Sequence, residues 1–461
     1  MQPDKTEIKA RTAALFVSMI SAIFNSMGNS ALNVALPAIG REFSMGAALL
    51  GWVAMSMILS ASVFVVPFGR LADIYGRKKV MIIGTLVYTA SCVLSALSRD
   101  ATVFIISRVL QGFGAGMIFG TSVAILTSVF PPEKRGWALG WNVSAVYIGL
   151  SCGPFIGGIF TATIGWRYIF WLNLPLGIIS FLLLVYGLKG EWQGAKGDKF
   201  DLVGSLILGV LITAFIYGLS VMPSIPGVMC VAAGIALLAV FVAFEKKTVN
   251  PVIDVNSFLD NPVFAFSNLA TLIHYSAAFS VGILMSLYLQ YIKGFDPRHA
   301  GLILMAQPVV MAIFAPVAGR ISDRTAPGKI AAVGMTLTMA GLFLLSRLGA
   351  MSSMFYIIIC LVFVGFGFAF FSSPNSNAVM SAVDKNYYGV ASGIISTMRQ
   401  AGQMIGLAIA TMMISIFIGK AAVSPENQGR FLEALRMAFL VSSALCFFGI
   451  FASLARKKTV K

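Results

Sequence analysis

Long apolar runs separated by short polar stretches dominate the chain. Fourteen such segments can be drawn, at 12–39, 46–68, 79–98, 101–124, 137–161, 166–187, 201–221, 226–244, 263–291, 298–319, 329–347, 353–374, 388–418 and 431–455. A helix needs ~20 apolar residues to cross the hydrocarbon core of a bilayer. Helix is also the economical form, because lipid cannot satisfy an unpaired backbone N–H or C=O. A transmembrane β-barrel would instead show alternating strands of about ten residues. The pattern predicts an all-α polytopic membrane protein with fourteen spans.

Composition sharpens what is excluded. Of the 461 residues, 58% are hydrophobic and 11% charged, against roughly 45–50% and about 25% in ordinary soluble proteins. Mean hydropathy is +0.89. A soluble enzyme, a disordered chain and a nucleic-acid-binding domain of the usual kind are set aside. The five cysteines (Cys92, Cys152, Cys230, Cys360, Cys446) sit in apolar runs without a CxxC pair, so no disulfide framework, metal site or cofactor is expected. The polar residues 1–11 are followed by an apolar stretch too long for a signal-peptide core, which reads as the first span.

The net charge of +16 becomes informative once it is distributed over the loops. With the N-terminus placed in the cytoplasm, 22 Lys and Arg fall on that side and 9 on the other. Arg108 and Arg399 remain inside spans. By the positive-inside rule both termini are cytoplasmic and the number of spans is even. The expected location is a bacterial cytoplasmic (inner) membrane.

An internal repeat divides the chain. Gly69-Arg70-Leu71-Ala72-Asp73 recurs as Gly319-Arg320-Ile321-Ser322-Asp323, 250 residues later, each copy after the second span of a six-span block. The expected organisation is a six-helix half at 1–190, two extra spans with their flanking loops at 191–262, and a second six-helix half at 263–461. Two parallel half-repeats around a midplane site are a transporter layout.

The stretch Gly69-Arg70-Leu71-Ala72-Asp73-Ile74-Tyr75-Gly76-Arg77-Lys78-Lys79 resembles the signature loop between spans two and three of the major facilitator superfamily. Its carboxylate, Asp73, can accept charge-assisted hydrogen bonds from an arginine or a helix N-terminus. That makes Gly69, Arg70, Asp73, Gly76, Arg77, Gly319, Arg320 and Asp323 a candidate conformational latch. In span five, Gly140, Gly149, Gly153, Pro154, Gly157 and Gly158 resemble the antiporter motif of drug:proton exporters. Close-set glycines let helix backbones touch and Pro154 bends the helix, so this span is expected to act as a pivot between the halves. Asn33-Val34-Ala35-Leu36-Pro37, the stretch from Trp166 to Pro175, Phe200-Asp201, Tyr288-Leu289-Gln290 and Arg399-Gln400-Ala401-Gly402 extend the likeness to nearly the whole chain. The chain is similar to the fourteen-span drug:proton antiporters of the EmrB/QacA type. The resemblance implies a major facilitator fold, export of amphipathic compounds and exchange for protons. It has one departure. Gly28 stands where such exporters often carry an aspartate, and all 17 Asp and Glu fall in tails, loops or span ends.

The candidate cavity residues are polar groups at membrane depth. Asn25, Asn29 and Asn33 form an i, i+4, i+8 stripe on span one. Gln111, Asn142, Tyr147, Tyr275, Gln307, Asn375 and Gln403 join them. Arg108, followed by Gln111-Gly112, resembles a family position linked to proton coupling, and Arg399 is a second intramembrane arginine. His274, in mid-span, is the one group there with an unperturbed pKa of ~6.5 near working pH. It is a candidate for both cavity lining and proton binding. The chain reads as a non-enzymatic transporter whose partners are membrane lipid, a small-molecule cargo and the proton. A periplasmic adaptor protein stays open as a further partner. Two functions stay open: multidrug efflux by proton antiport, and a dedicated exporter or facilitator of one neutral or anionic metabolite or lipid, with or without proton coupling.

Overall fold

The computed structural model describes residues 5–45, 47–222, 224–256, 260–295, 297–418 and 428–455. Among them fourteen helices are long and apolar enough to cross a membrane. The first half contains α1 (Lys5–Glu42), α2 (Ala47–Tyr75), α3 (Arg77–Leu97), α4 (Ala101–Val129), α5 (Pro132–Thr163) and α6 (Arg167–Gly187). Between the halves lie α7 (Leu202–Ser220) and α8 (Ile225–Glu245). The second half contains α9 (Pro262–Ile292), α10 (His299–Arg324), α11 (Pro327–Leu345), α12 (Met354–Ser381), α13 (Lys385–Ile418) and α14 (Gln428–Leu454). No strand occurs among the described residues.

Short side chains start several of these helices. The carboxylate of Asp100 accepts from Val103 N at 2.9 Å, and that of Asp201 from Gly204 N at 2.8 Å. Asn261 and Ser353 do the same for α9 and α12. Each satisfies one of the backbone donors that a helix leaves free at its N-terminus. The stretch 69–79, expected as a loop, is mostly helix. Helix α2 continues through Tyr75 and α3 begins at Arg77. Gly76 alone separates them, with φ 119°, a conformation that glycine adopts without a Cβ penalty. Asp73 is thereby fixed on the last turn of α2.

Each half has its own apolar core. In the first, Phe24, Tyr88, Phe104 and Phe170 are buried, with edge-to-face pairs Phe24–Tyr88 and Phe104–Phe170 at 4.9 and 5.6 Å. In the second, Tyr288, Phe431, Phe439 and Leu361 are fully buried. A third cluster ties the halves together. Val65 and Val66 of α2 and Val390 and Ile394 of α13 pack with Leu208, Ile212 and Ile216 of α7. Helix α7 therefore covers the seam between α2 and α13. Helix α8 lies outside it, with Val228, Met229, Ile235, Leu238 and Val240 exposed as an apolar face suited to lipid.

Candidate functional site

At the end of the bundle where α2 and α10 finish, two carboxylates reach across from one half to the other. Asp73 accepts from the backbone N–H groups of Gly389, at 2.9 Å to each oxygen, and of Val390 at 3.1 Å. These two donors are near the start of α13. Arg77 completes the site, donating through Nε and Nη2 to Asp73 Oδ1 at 2.9 and 2.6 Å. Both side chains are almost fully enclosed. Arg77 also bonds the carbonyl of Lys385 and lies 5.2 Å from the ring centre of Tyr388. Asp323, the counterpart in the repeat, accepts from Gly136 N at 2.6 Å and Trp137 N at 3.0 Å, near the start of α5. It has Asn377 Nδ2 at 3.4 Å in place of an arginine, and is half-buried.

Glycine makes both approaches possible. A Cβ on Gly69 would run into the carbonyl of Gly389, and one on Gly389 into the carbonyl of Gly69; Gly319 and Gly136 are related in the same way. The partners of the two aspartates were not singled out from sequence, although the signal is there: Gly136-x-Ala138-x-Gly140 is matched by Gly389-x-Ala391-x-Gly393. Two further residues were missed in the segment before α7. The Glu191 carboxylate accepts from Lys78 N and Lys79 N at 2.8 and 3.3 Å, capping α3. Asp198 pairs with Arg70 at 2.8 Å. The Gly194 and Ala195 N–H groups donate to the Asp73 carbonyl, so this segment wraps the first latch.

The span-five glycines divide their work. Gly140 sits on Ala315 and Pro316 of α10, at the boundary between halves. Gly149, Gly153 and Gly157 instead press on Ser26, Met27, Ser30 and Ala31 of α1, inside the first half. Gly158 is open and Pro154 exposed. The glycine face therefore bridges the two halves only near the latch end, and the rest of it fixes α5 to α1.

At membrane depth the predicted residues fall into separate groups. Arg108 is 1% exposed. Its Nε donates to Val53 O at 3.2 Å, Nη2 to Asn29 Oδ1 at 3.2 Å and Nη1 to Gln111 Oε1. Gln111, on α4 with Arg108, turns its amide nitrogen to Cys92 Sγ of α3 at 2.8 Å, so it links Arg108 to α3 and is itself buried. Asn25, one turn before Asn29, is buried, and Asn33 is exposed at the far end of the stripe. Asn142 holds α5 to α1 and α4 through Ser18 O and Ser122 Oγ. The missing acid has a local reason: a Cβ on Gly28 would meet Asn173 Nδ2 at 2.9 Å and Tyr88 OH at 3.5 Å. Those two polar groups occupy the space a carboxylate would need.

In the second half, Arg399 lies with its guanidinium 5.2 Å from the ring centre of Tyr275. Tyr275 OH is 3.2 Å from Ser372 Oγ. Phe368 touches both Tyr275 and, across the seam, Tyr147 of α5 at 5.5 and 6.3 Å. Tyr147, Tyr275 and Arg399 are thus brought together at the boundary between halves, while Gln307 and Gln403 are half-buried on α10 and α13. His274 is not on that boundary. It is 0% exposed, stacked on Phe371 at 4.0 Å, with Nε2 3.0 Å from Thr338 Oγ1. Asn375 is also internal, donating to Ser267 O and Thr271 Oγ1. Both were expected to line the cavity; tight packing among α9, α11 and α12 encloses them instead.

A family profile described as Major Facilitator Superfamily matches residues 18–201, 200–407 and 267–461. The chain belongs to the major facilitator superfamily. Its relatives include the riboflavin transporter RibZ of Clostridioides difficile (strain 630), 26% identical over 96% of this chain and 97% of that protein. The multidrug resistance protein Stp of Mycobacterium tuberculosis (strain CDC 1551 / Oshkosh) is 30% identical over 86% of this chain and 74% of its own. The tetracenomycin C resistance and export protein of Streptomyces glaucescens is 25% identical over 88% and 76%. The crystal structure of the human organic anion transporter MFSD10 (TETRAN) superposes with a TM-score of 0.70 at 14% identity, covering 98% of this chain and all of that one. That likeness concerns the fold: fourteen spans here, two six-helix halves with an extra pair between them.

The two candidate latches of this superfamily member differ in their contacts. Charge-assisted hydrogen bonds contribute roughly 1.5–3 kcal/mol each, and removing one partner of a buried ion pair costs about 3–5 kcal/mol. Asp73 has both terms and Asp323 only the first. Asp73→Asn is expected to lower turnover about ten-fold, the effect of ~1.4 kcal/mol, with substrate affinity nearly unchanged; Asp323→Asn should do less. Transport into proteoliposomes checks this, and equal turnover in Asp73→Asn and parent refutes the latch. Gly153→Leu is expected to wedge α5 from α1, because even a Cβ would lie 2.6 Å from that of Ser30. Export at the parental rate by that variant would show that the contact with α1 is dispensable.

Proposed function

We propose that this transporter exports amphipathic small molecules across a bacterial cytoplasmic membrane by alternating access, in exchange for protons. The observation that carries the cargo class is the charge at membrane depth. Arg108 and Arg399 stand there, and every Asp and Glu falls in a tail, loop or span end. An unpaired intramembrane arginine costs ~3 kcal/mol or more, so these two favour neutral or anionic cargo over cations. The tetracenomycin C resistance and export protein of Streptomyces glaucescens, named for export, supports the direction of transport, and the multidrug resistance protein Stp supports a drug-like cargo. The loop charges put the latch end in the cytoplasm, which makes the present conformation one closed to that side. Arg399→Ala is expected to reduce efflux of anionic amphiphiles more than of cationic ones, measured by accumulation in cells overproducing the protein. Equal loss for both charge classes would remove Arg399 from selection.

Proton exchange rests on His274, the one residue at depth with an ordinary titration range near neutral pH. Its enclosure requires that the second half open along Phe368 and Phe371 for a proton to reach it. His274→Gln is expected to abolish efflux driven by an imposed pH gradient while permitting downhill exchange. Unchanged gradient-driven flux in the mutant rules the residue out. A parent without gradient dependence would instead support a second reading, an uncoupled exporter of one neutral or anionic compound. That reading is favoured by the sealed histidine and the absence of a carboxylate at Gly28.

A further inference from the structure

The two seams between the halves are built alike and covered differently. On the seam of α2 and α13, α7 seats Leu208, Ile212 and Ile216, all buried. The segment just before α7 brings Asp198 to Arg70, which is only 2% exposed. One run of chain therefore supplies an anion followed by an apolar rod. On the seam of α5 and α10, no described part of the chain does this. An apolar groove of about 710 Å³ lies there, with Trp137, Trp141 and Ile148 on one wall and Val309, Ile313 and Val317 on the other. Arg320 stands at its latch end, in the position that Arg70 holds in the first repeat. It is exposed and has no hydrogen-bond or ion-pair partner among the described residues. Asp323, one turn on, is committed to the N–H groups of Gly136 and Trp137.

We propose that this groove holds one anionic glycerophospholipid of the leaflet at the latch end, with its phosphate on Arg320 and an acyl chain between α5 and α10. The occupant of the other seam sets the pattern: an anion on the arginine, then apolar matter between the two halves. A guanidinium fits a phosphate with paired hydrogen bonds, and basic pockets between transmembrane helices suit anionic head groups. Helix α5 rises about 22 Å from Trp137 to Cys152 at 1.5 Å per residue. That exceeds the ~15 Å of hydrocarbon in one leaflet, so an extended acyl chain fits along the groove. The wall residues Val309, Ile313 and Val317 are exposed apolar side chains that such a chain would cover.

Native mass spectrometry of the full chain in detergent, titrated with dioleoyl phosphatidylglycerol or dioleoyl phosphatidylcholine, tests this. The parent should bind one phosphatidylglycerol more tightly than phosphatidylcholine. Arg320→Gln should weaken phosphatidylglycerol about ten-fold, the scale of one charge-assisted hydrogen bond, and erase the preference. Arg320→Lys should keep the preference, which guards against a simple folding defect. Ile313→Trp, filling the groove, should weaken both lipids. No lipid preference in the parent, or equal phosphatidylglycerol binding by Arg320→Gln, overturns the proposal. A dimer that excludes phosphatidylglycerol also overturns it, by giving the groove to a second copy of the chain.

Discussion

A carboxylate set against backbone N–H groups in the first two turns of a helix in the opposite half is the interaction that joins the two halves at one end of this protein. It occurs twice, Asp73 on Gly389 and Val390 and Asp323 on Gly136 and Trp137. The N-terminal end of a helix carries partial positive charge, so it attracts a carboxylate from the opposite half without a cationic side chain there. The contact is also directional. Each N–H points along its own helix, so the contact needs the helix end to lie directly against the aspartate. Only glycine at both faces allows the helices to come that close.

The symmetry of the two latches makes their differences informative. The first is buried, carries Arg77, and is wrapped by the segment that leads into α7. The second is half-buried and lies beside an open groove. Inserting two helices between the halves therefore did more than lengthen the chain. It covered one seam with α7, supplied Asp198 to Arg70, and brought Glu191 to the start of α3. The unmatched seam of α5 and α10 keeps its arginine and its apolar walls facing the membrane.

At membrane depth the electrostatics lean one way. Arg108 is held by Val53 O, Gln111 and Asn29, neutral acceptors that hydrate it in place of water without cancelling its charge. Arg399 rests on the face of Tyr275, whose quadrupole attracts a cation modestly. Asn173 and Tyr88 fill the space next to Gly28. Of the two arginines, Arg399 stands at the boundary between halves, among the rings of Tyr147, Tyr275 and Phe368, while Arg108 is enclosed in the first half.

Much of this was written in the residue order. Fourteen apolar segments gave fourteen helices, because lipid leaves the backbone no other local way to satisfy its hydrogen bonds. The Gly69–Asp73 repeat located both inter-half carboxylate contacts, because glycine and aspartate leave a signature that survives without coordinates. The partners of those aspartates left only a faint trace, the matched glycines of Gly136-x-Ala138-x-Gly140 and Gly389-x-Ala391-x-Gly393, and tertiary structure decided which backbone N–H groups each carboxylate takes. Facing was decided there too. Gly149, Gly153 and Gly157 turned to α1 instead of the opposite half, Gln111 to Cys92, and His274 and Asn375 into the second half. In a membrane helix every face is apolar enough to meet lipid, so periodicity does not say which side a polar group takes; packing against particular neighbours does.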